Sequence, residues 1–338
     1  MKRHGGLFAK IVEPENIELA YKKARKGKAW QDSVKEFEQD KDAKLAALRQ
    51  QLLDGSFTTS EYRVKIIHEP KEREIFILPF YPDRIVQHAV MNIVAPLWDA
   101  LFIFDSYACR KGKGQHAGSK RCMQFTRRNA WVCQFDLSKF YPSIPHDKLM
   151  DVIRKKIKDK RVLALMQDII DSIGGDRNVP IGNFTSQWFG NLYLNELDQF
   201  VKHRLHVRDY IRYCDDFLLF GDDKDALKLQ ADKVEAFVSM ILGMKLSKKS
   251  LYPTAHGIDF LGYRHFPDGK ILVRKATAKR IKRRLRIIPW ALKHGRITKE
   301  QARGKLASAN GWLKHANAHH LRMAIRLDEL TAEVEAIP

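Results

Sequence analysis

Tyr210-Ile-Arg-Tyr-Cys-Asp-Asp-Phe-Leu-Leu-Phe220 sets two adjacent aspartates between apolar arms in a chain that is otherwise strongly basic. The arms, Ile211 to Tyr213 and Phe217 to Phe220, read as a hairpin with Asp215-Asp216 at its bend. Two like charges at a half-buried turn are costly without a cation. A plain polar turn would also account for them, and a YxDD string alone arises by chance in roughly one chain of this size in thirty. A further isolated acid, Asp136, ends the apolar run Trp131-Val-Cys-Gln-Phe135, which reads as a strand. If these strands are neighbours, three carboxylates meet at one end of a sheet. Hard oxygen donors of that kind suit Mg²⁺, and two such ions about 4 Å apart can activate a hydroxyl and stabilise a leaving pyrophosphate.

Around this core the hydrophobic pattern alternates between helix and strand. Residues 15–54 read as helices, with Lys44 to Leu53 at helical spacing and Asp54-Gly55 as the stop. Tyr62 to Leu78 alternates on either side of a charged turn, Glu69-Pro-Lys-Glu-Arg-Glu74, as a β-hairpin with a basic tip would. Pro82-Asp83 opens a helical run from Arg84 to Phe102. Val234 to Leu242 is helical, and Phe260-Leu-Gly-Tyr263 reads as a short apolar strand. No GxGxxG is present, and the mixture suits an antiparallel α+β core better than a Rossmann sheet.

The 338 residues carry 61 Lys+Arg against 40 Asp+Glu, a formal charge of +21, with 44% hydrophobic and 10% aromatic residues. That length and apolar share exclude a disulfide-stapled miniprotein and a disordered basic tail. The charge points to a polyanion, nucleic acid before an anionic membrane. Cys109, Cys122, Cys133 and Cys214 form no CxxC pair, which disfavours a structural zinc site. The start, Met1-Lys-Arg-His-Gly-Gly, leads into no signal-peptide core. The longest apolar stretch, Ala89 to Phe104, is broken by Asn92, Pro96 and Asp99, so no membrane span is expected. The expectation is a soluble protein of a reducing, cytoplasmic compartment. Residues 271–338 hold 16 Lys+Arg against 5 Asp+Glu. Arg274, Lys275, Lys279, Arg280, Lys282, Arg283, Arg284 and Arg286 crowd one helix length of that stretch, either as a solvated face or as a module that tracks a phosphate backbone.

From about residue 30 onward the chain resembles a reverse transcriptase. Gln134-Phe-Asp-Leu-Ser-Lys-Phe-Tyr-Pro-Ser-Ile144 is similar to the first palm motif, and Tyr213-Cys-Asp-Asp216 to the YxDD box. The resemblance implies a right-hand polymerase fold with fingers, palm and a small helical thumb. Its expected segments are 1–60 as an N-terminal helical extension, 61–130 as fingers, 131–268 as palm with an interleaved fingers segment near 145–180, and 269–338 as a basic thumb. It implies that Asp136, Asp215, Asp216 and the Leu137 carbonyl hold two Mg²⁺ ions. Tyr141 would exclude a ribose 2′-OH from the dNTP site. Lys71 and Arg73, in a segment similar to the fingers, would grip the triphosphate. Gly182 would let the backbone approach the nascent pair. Tyr107-Ala-Cys-Arg-Lys-Gly-Lys-Gly-Gln-His-Ala117 resembles the family's next block. Leu246-Ser-Lys-Lys-Ser250 resembles the motif whose lysine protonates pyrophosphate, Lys249 being chosen and Lys248 left open. Phe260, Leu261, Gly262 and Tyr263 look like a primer grip, with Tyr213, Arg283 and Arg284 as further primer or template contacts.

One motif departs from the usual family form. Ile181-Gly-Asn-Phe-Thr-Ser-Gln187 stands where most reverse transcriptases carry QGxxxSP, with Ile181 replacing glutamine and Gln187 replacing proline; the resemblance implies that both, with Gly182, lie at the incoming nucleotide. That variant is similar to the enzymes of diversity-generating retroelements. The likeness implies error-prone, adenine-mutagenised cDNA (mutagenic retrohoming) from a template-repeat RNA, with a small, sometimes oligomeric accessory protein as partner. An antiphage reverse-transcriptase-like protein and a non-catalytic RNA-binding scaffold remain as alternatives. A group II intron maturase is disfavoured because little chain follows the thumb.

Overall fold

The computed structural model describes residues 3–68 and 72–337; Lys71 lies outside them. In chain order the elements begin with helices α1 (Leu7–Ile11), α2 (Pro14–Arg25), α3 (Asp32–Gln39) and α4 (Lys41–Asp54). The antiparallel hairpin β1 (Arg63–Ile67) and β2 (Arg73–Ile77) follows, then α5 (Ile85–Asp99), α6 (Gln115–Arg128) and β3 (Trp131–Leu137). Next come α7 (Phe140–Ser143), α8 (His146–Arg154), α9 (Lys160–Asp171), α10 (Phe184–His203), β4 (Tyr210–Tyr213), β5 (Asp216–Gly221) and α11 (Lys224–Ala236). The chain closes with β6 (Leu246–Pro253), β7 (Ile258–Phe260), β8 (Tyr263–His265), β9 (Ile271–Val273), α12 (Lys275–Arg286), α13 (Ile288–Lys293), α14 (Lys299–Lys314), α15 (His319–Ala324) and α16 (Leu327–Glu335). No helix among the described residues is long and apolar enough to cross a membrane.

Two compact units result. The first comprises Met1–Phe104, Asp136–His206 and Asp232–Lys248; the second comprises Asp105–Phe135, Val207–Ala231 and Lys249–Pro338.

In the first unit the N-terminal helices pack on α5 through polar anchors as well as apolar contact. Buried Asn16 donates from Nδ2 to the carbonyls of Ile11 at 2.8 Å and Ala89 at 3.1 Å. Its own amide oxygen accepts from Asn92. A buried amide left without such partners would be costly, so this triangle fixes α2 against α5. Asp159 caps two helices at once. Its carboxylate accepts from the backbone of Leu7 and Phe8 in α1 and from Arg161 and Val162 in α9. Burial pushes its carboxyl up, but the four N–H donors outweigh burial and the net shift is downward. The helix α4 stops at Gly55, which adopts the left-handed conformation.

The second unit holds β4, β5 and most of β3 and β6, strands of a sheet of order β4-β5-β3-β6, and a three-stranded antiparallel sheet β7-β8-β9. The inward residues of β3, β4 and β5 make its core, with Phe135 stacked on Phe217 at 4.8 Å. Ile281, Leu285, Ile288, Ala302, Leu306 and Leu313 form a separate core for the C-terminal helices. Residues 260–263 correct the sequence reading of one short strand. Leu261 and Gly262 both have positive φ, 55° and 80°, and form a two-residue turn between β7 and β8, with Phe260 paired to Tyr263. The apolar run hides the turn because a leucine occupies a position that usually goes to Asn or Gly.

Candidate active site

The register Tyr213↔Asp216 closes the β4-β5 hairpin on a two-residue turn, Cys214-Asp215. The bend therefore sits one residue earlier than the sequence suggests, and Asp216 is the first residue of β5. Cys214 has φ +52°, the sign such a tight turn demands. Tyr210, Ile211, Phe217 and Leu218 are fully buried, while Asp215 and Asp216 stay half-exposed at the end of the hairpin.

Two polar residues that the sequence reading did not single out support these acids. Gln134, on β3, reaches Asp216 with Nε2 at a long 3.5 Å and donates to the Asp259 carbonyl at 2.9 Å. Its oxygen accepts from Tyr252. Arg212 is wholly buried, with Nη1 on the Cys214 carbonyl at 3.1 Å and Nη2 on Ser106 Oγ at 3.3 Å. A desolvated guanidinium beneath the turn offsets the repulsion between neighbouring carboxylates. The available signal for both was a polar side chain inside an apolar strand.

Asp136 lies at the end of β3, half-buried, and accepts from Ser247 Oγ at 2.6 Å; the same hydroxyl is 3.2 Å from the Asp136 carbonyl. Ser247 belongs to the Leu246–Ser250 segment, whose sequence draws attention to its lysines and not to this serine. Among the described residues, no group of three His, Cys, Asp or Glu side chains is close enough to hold a metal. Each unit offers hard oxygen donors of the kind a divalent ion takes: the Asp136 carboxylate and the Leu137 carbonyl in the first, and the Asp215 and Asp216 carboxylates in the second.

Four of the expected nucleotide-site residues meet in the first unit. Tyr141, Ile181, Gly182 and Gln187 line one cavity of about 300 Å³ together with Lys28, Arg84 and His88. Gly182 (φ +129°) is required here by its approach to the β1-β2 hairpin: a Cβ would stand 2.2 Å from the Phe76 carbonyl oxygen. The Phe76 N–H donates to the Ile181 carbonyl at 2.7 Å. The start of α10 is held by buried Gln87, whose Oε1 accepts from the Phe184 N–H at 2.9 Å. Tyr141 sits on α7 beside Phe140, and Gly190 makes room for both rings, its Cβ position being 3.0 Å from Phe140 Cε1 and 3.1 Å from Tyr141 Cε1. Arg73 is exposed at the start of β2 and does not line the cavity.

Three basic groups in the cavity carry burial in their acidities. Burial lowers the Lys28 ammonium, with Arg84 adding repulsion, and burial lowers the Arg84 guanidinium. His88 stacks on Phe184 at 4.1 Å, and burial followed by repulsion from Lys28, Lys23 and Arg84 pushes it down to about 4.

The expected primer and template residues divide by burial. Phe260 and Tyr263 are fully buried, so their side chains build the hairpin rather than meet a nucleic acid. Half-buried Leu261 and Gly262 form its turn, held by Gln115 Nε2 on the Leu261 carbonyl at 2.7 Å. Tyr213 packs half-buried beside the sheet core. Arg283 and Arg284, exposed on α12, open into different grooves. Arg283 joins Lys279, Lys282 and Arg286 in one, and Arg284 joins Arg280 in the other. The basic run is thus split around the apolar stripe of Ile281 and Leu285.

The sequence matches the family described as reverse transcriptase (RNA-dependent DNA polymerase) over residues 70–265. It is 27% identical over 269 residues to Protein YkfC of Escherichia coli (strain K12), covering 65% of this chain and 70% of that protein. It is 24% identical to the group II intron-encoded protein LtrA of Lactococcus lactis subsp. cremoris, covering 58% of this chain but 35% of that one. The chain therefore spans only about a third of that longer relative. The solved telomerase of Candida albicans, in complex with a fragment of telomeric RNA, shares the fold at a TM-score of 0.50 and 12% identity, over 83% of this chain and 60% of that one. The architecture is accordingly the expected α+β, right-hand-polymerase type. With the match extending over more than half of its length, the chain belongs to the reverse transcriptase family.

Proposed function

We propose that the chain is an RNA-directed DNA polymerase acting by two-metal nucleotidyl transfer. The observation that carries this reading is the tight Cys214-Asp215 turn, which presents two acids over a buried arginine within the matched family region. Side chains alternate along a strand, so Gln134 and Asp136 share one face of β3. The likeness of residues 134–144 to the first palm motif, within the matched region, supports Asp136 as the third acid. Asp136, Asp215, Asp216 and the Leu137 carbonyl would hold two Mg²⁺ ions, which supply activation of the primer 3′-OH and charge stabilisation at the triphosphate.

The remaining roles fall to the protein's own groups. Ser247 orients the Asp136 carboxylate. Lys249 shares the Ser247 face of β6 by the same alternation, whereas Lys248 takes the other; this favours Lys249 as the proton donor to pyrophosphate. Lys71 and Arg73 grip the triphosphate, and Tyr141 rejects a 2′-OH by bulk. Tyr213, the Leu261-Gly262 turn, Arg283 and Arg284 contact the primer and template strands.

The finer reading is a reverse transcriptase of a diversity-generating retroelement, supported by the IGNFTSQ motif at 181–187. It would copy a template-repeat RNA with errors at adenines and work with a small accessory protein. Ile181 cannot supply the amide hydrogen bonds of the usual glutamine, and losing a contact of about 1 kcal/mol weakens discrimination about fivefold. An intron-associated reverse transcriptase is the second reading, favoured by the likeness to LtrA. Sequencing the RNA and cDNA that co-purify with the protein separates the two. Adenine-directed substitutions support the first, and faithful cDNA of an intron supports the second.

A further inference from the structure

The cavity at Tyr141 and Gly182 holds more positive charge than its packing explains. Lys28 comes from the segment after α2 and Arg84 from the turn before α5, and both are half-buried. Among the described residues neither forms an ion pair; Arg84 Nε has only a weak contact with the Leu78 carbonyl at 3.4 Å. Burial disfavours the charge on both, and Arg84 adds repulsion at Lys28. Half-buried cations without a carboxylate are unfavourable in the free protein. Charge is not simply accumulated here, because the third basic group, His88, stacks flat on Phe184 with its Nδ1 buried and unpartnered. It forms an uncharged wall. What remains is two cations facing a cavity of about 300 Å³ that also presents Tyr141, Gly182 and Gln187.

We propose that Lys28 and Arg84 form a phosphate-binding pair in this cavity, taking a phosphate group of a nucleotide. The assignment rests on the polymerase reading for the identity of its ligand, though not for the presence of an anion site. Arg84 offers a planar fork that suits phosphate, and Lys28 offers a mobile point charge. The phosphate comes either from the incoming dNTP or from the backbone of the template strand, and the chemistry of recognition is the same for both.

The test compares wild type with Lys28→Met, Arg84→Met and the double variant, with Lys28→Arg as the charge-retaining control and exposed Lys26→Met as the control for net charge. Three quantities are read: KM for dNTP on a primed RNA, the Kd of a labelled RNA–DNA primer–template across a salt series, and thermal unfolding. If the source is the dNTP, KM rises about tenfold or more per cation removed, the duplex Kd is unchanged, and Lys28→Arg retains most of the affinity. If the source is the template backbone, the duplex Kd weakens with a salt slope shallower by about one per cation, and KM is unchanged. Folded variants with both constants within about twofold of wild type would overturn the inference while the polymerase reading stood. A wild type that binds the duplex or a labelled dNTP, but does not polymerise, would overturn that reading instead. The site would then survive only if its variants lost that binding.

Discussion

Gly182→Ala puts the coupling between the β1-β2 hairpin and the start of α10 to a quantitative test. An alanine Cβ would stand 2.2 Å from the Phe76 carbonyl oxygen, with the Phe76 carbonyl carbon at 3.2 Å and Ile75 Cγ2 at 3.4 Å. The nearest neighbour is backbone, which cannot rotate away. Restoring an ordinary separation of about 3 Å means moving β2 from the 181–183 segment and losing the Phe76 N–H to Ile181 carbonyl bond. The residue must also hold φ +129°, which costs an L-residue about 1–3 kcal/mol, and the lost hydrogen bond adds about 1 kcal/mol. The variant should thus lose about 2–4 kcal/mol. With about 2.1 cal/mol/K of unfolding entropy per residue, a unit of about 190 residues would unfold roughly 5–10 °C lower. Differential scanning calorimetry reads the shift, and Gly311→Ala, which meets nothing within 4 Å, is the matched control. A shift below about 1 °C for Gly182→Ala would refute the reasoning.

Other expectations follow from single contacts. Tyr141→Ala should admit ribonucleotides, read as the ratio of kcat/KM for dNTP and rNTP; unchanged selectivity rejects the gate. Gly190→Ala should move the same ratio in a milder way, because its Cβ presses on the Tyr141 ring at 3.1 Å. Arg212→Met, which leaves the Cys214 carbonyl and Ser106 without their donor, should destabilise the second unit by about 2–4 kcal/mol, with Arg212→Lys restoring little; full rescue by lysine would argue against the fork geometry. His265 is wholly buried, and burial pushes it down to about 4 from 6.5. Because the unfolded chain binds that proton first, its contribution is complete above pH 6.5 and is lost as pH falls from 6.5 toward 4, about 3 kcal/mol in all. Thermal unfolding of His265→Gln should show a flatter dependence across that window, and an identical slope would contradict it.

Local pattern made the secondary structure legible where apolar spacing was regular. The strand Trp131–Leu137 and the stop at Gly55 stand where the sequence puts them. Errors arose at turns. The bend at Cys214-Asp215 and the turn at Leu261-Gly262 both place a non-glycine residue at positive φ, which residue preference does not advertise. The carboxylates were legible because acids amid apolar strands in a basic chain are conspicuous. Their supports were not. Ser247, Gln134 and Arg212 act through contacts with residues distant in sequence, with Ser247 bonded to Asp136 across 111 positions, and only tertiary structure brings such pairs together. Lys28 and Arg84 were hidden for the opposite reason. In a chain with 61 basic residues, composition cannot show which cations lack an acid.

The central claim is that the Asp215 turn does templated chemistry with divalent ions. Its most direct measurement is dNTP incorporation on a primed RNA by wild type and Asp215→Asn, titrated with Mg²⁺. Removing one ligand charge from a two-ion site should cost about a thousandfold or more in rate, while the variant keeps its fold and its affinity for the duplex. Incorporation by Asp215→Asn at a rate near that of wild type, or wild-type incorporation that persists in a chelator, would contradict the account.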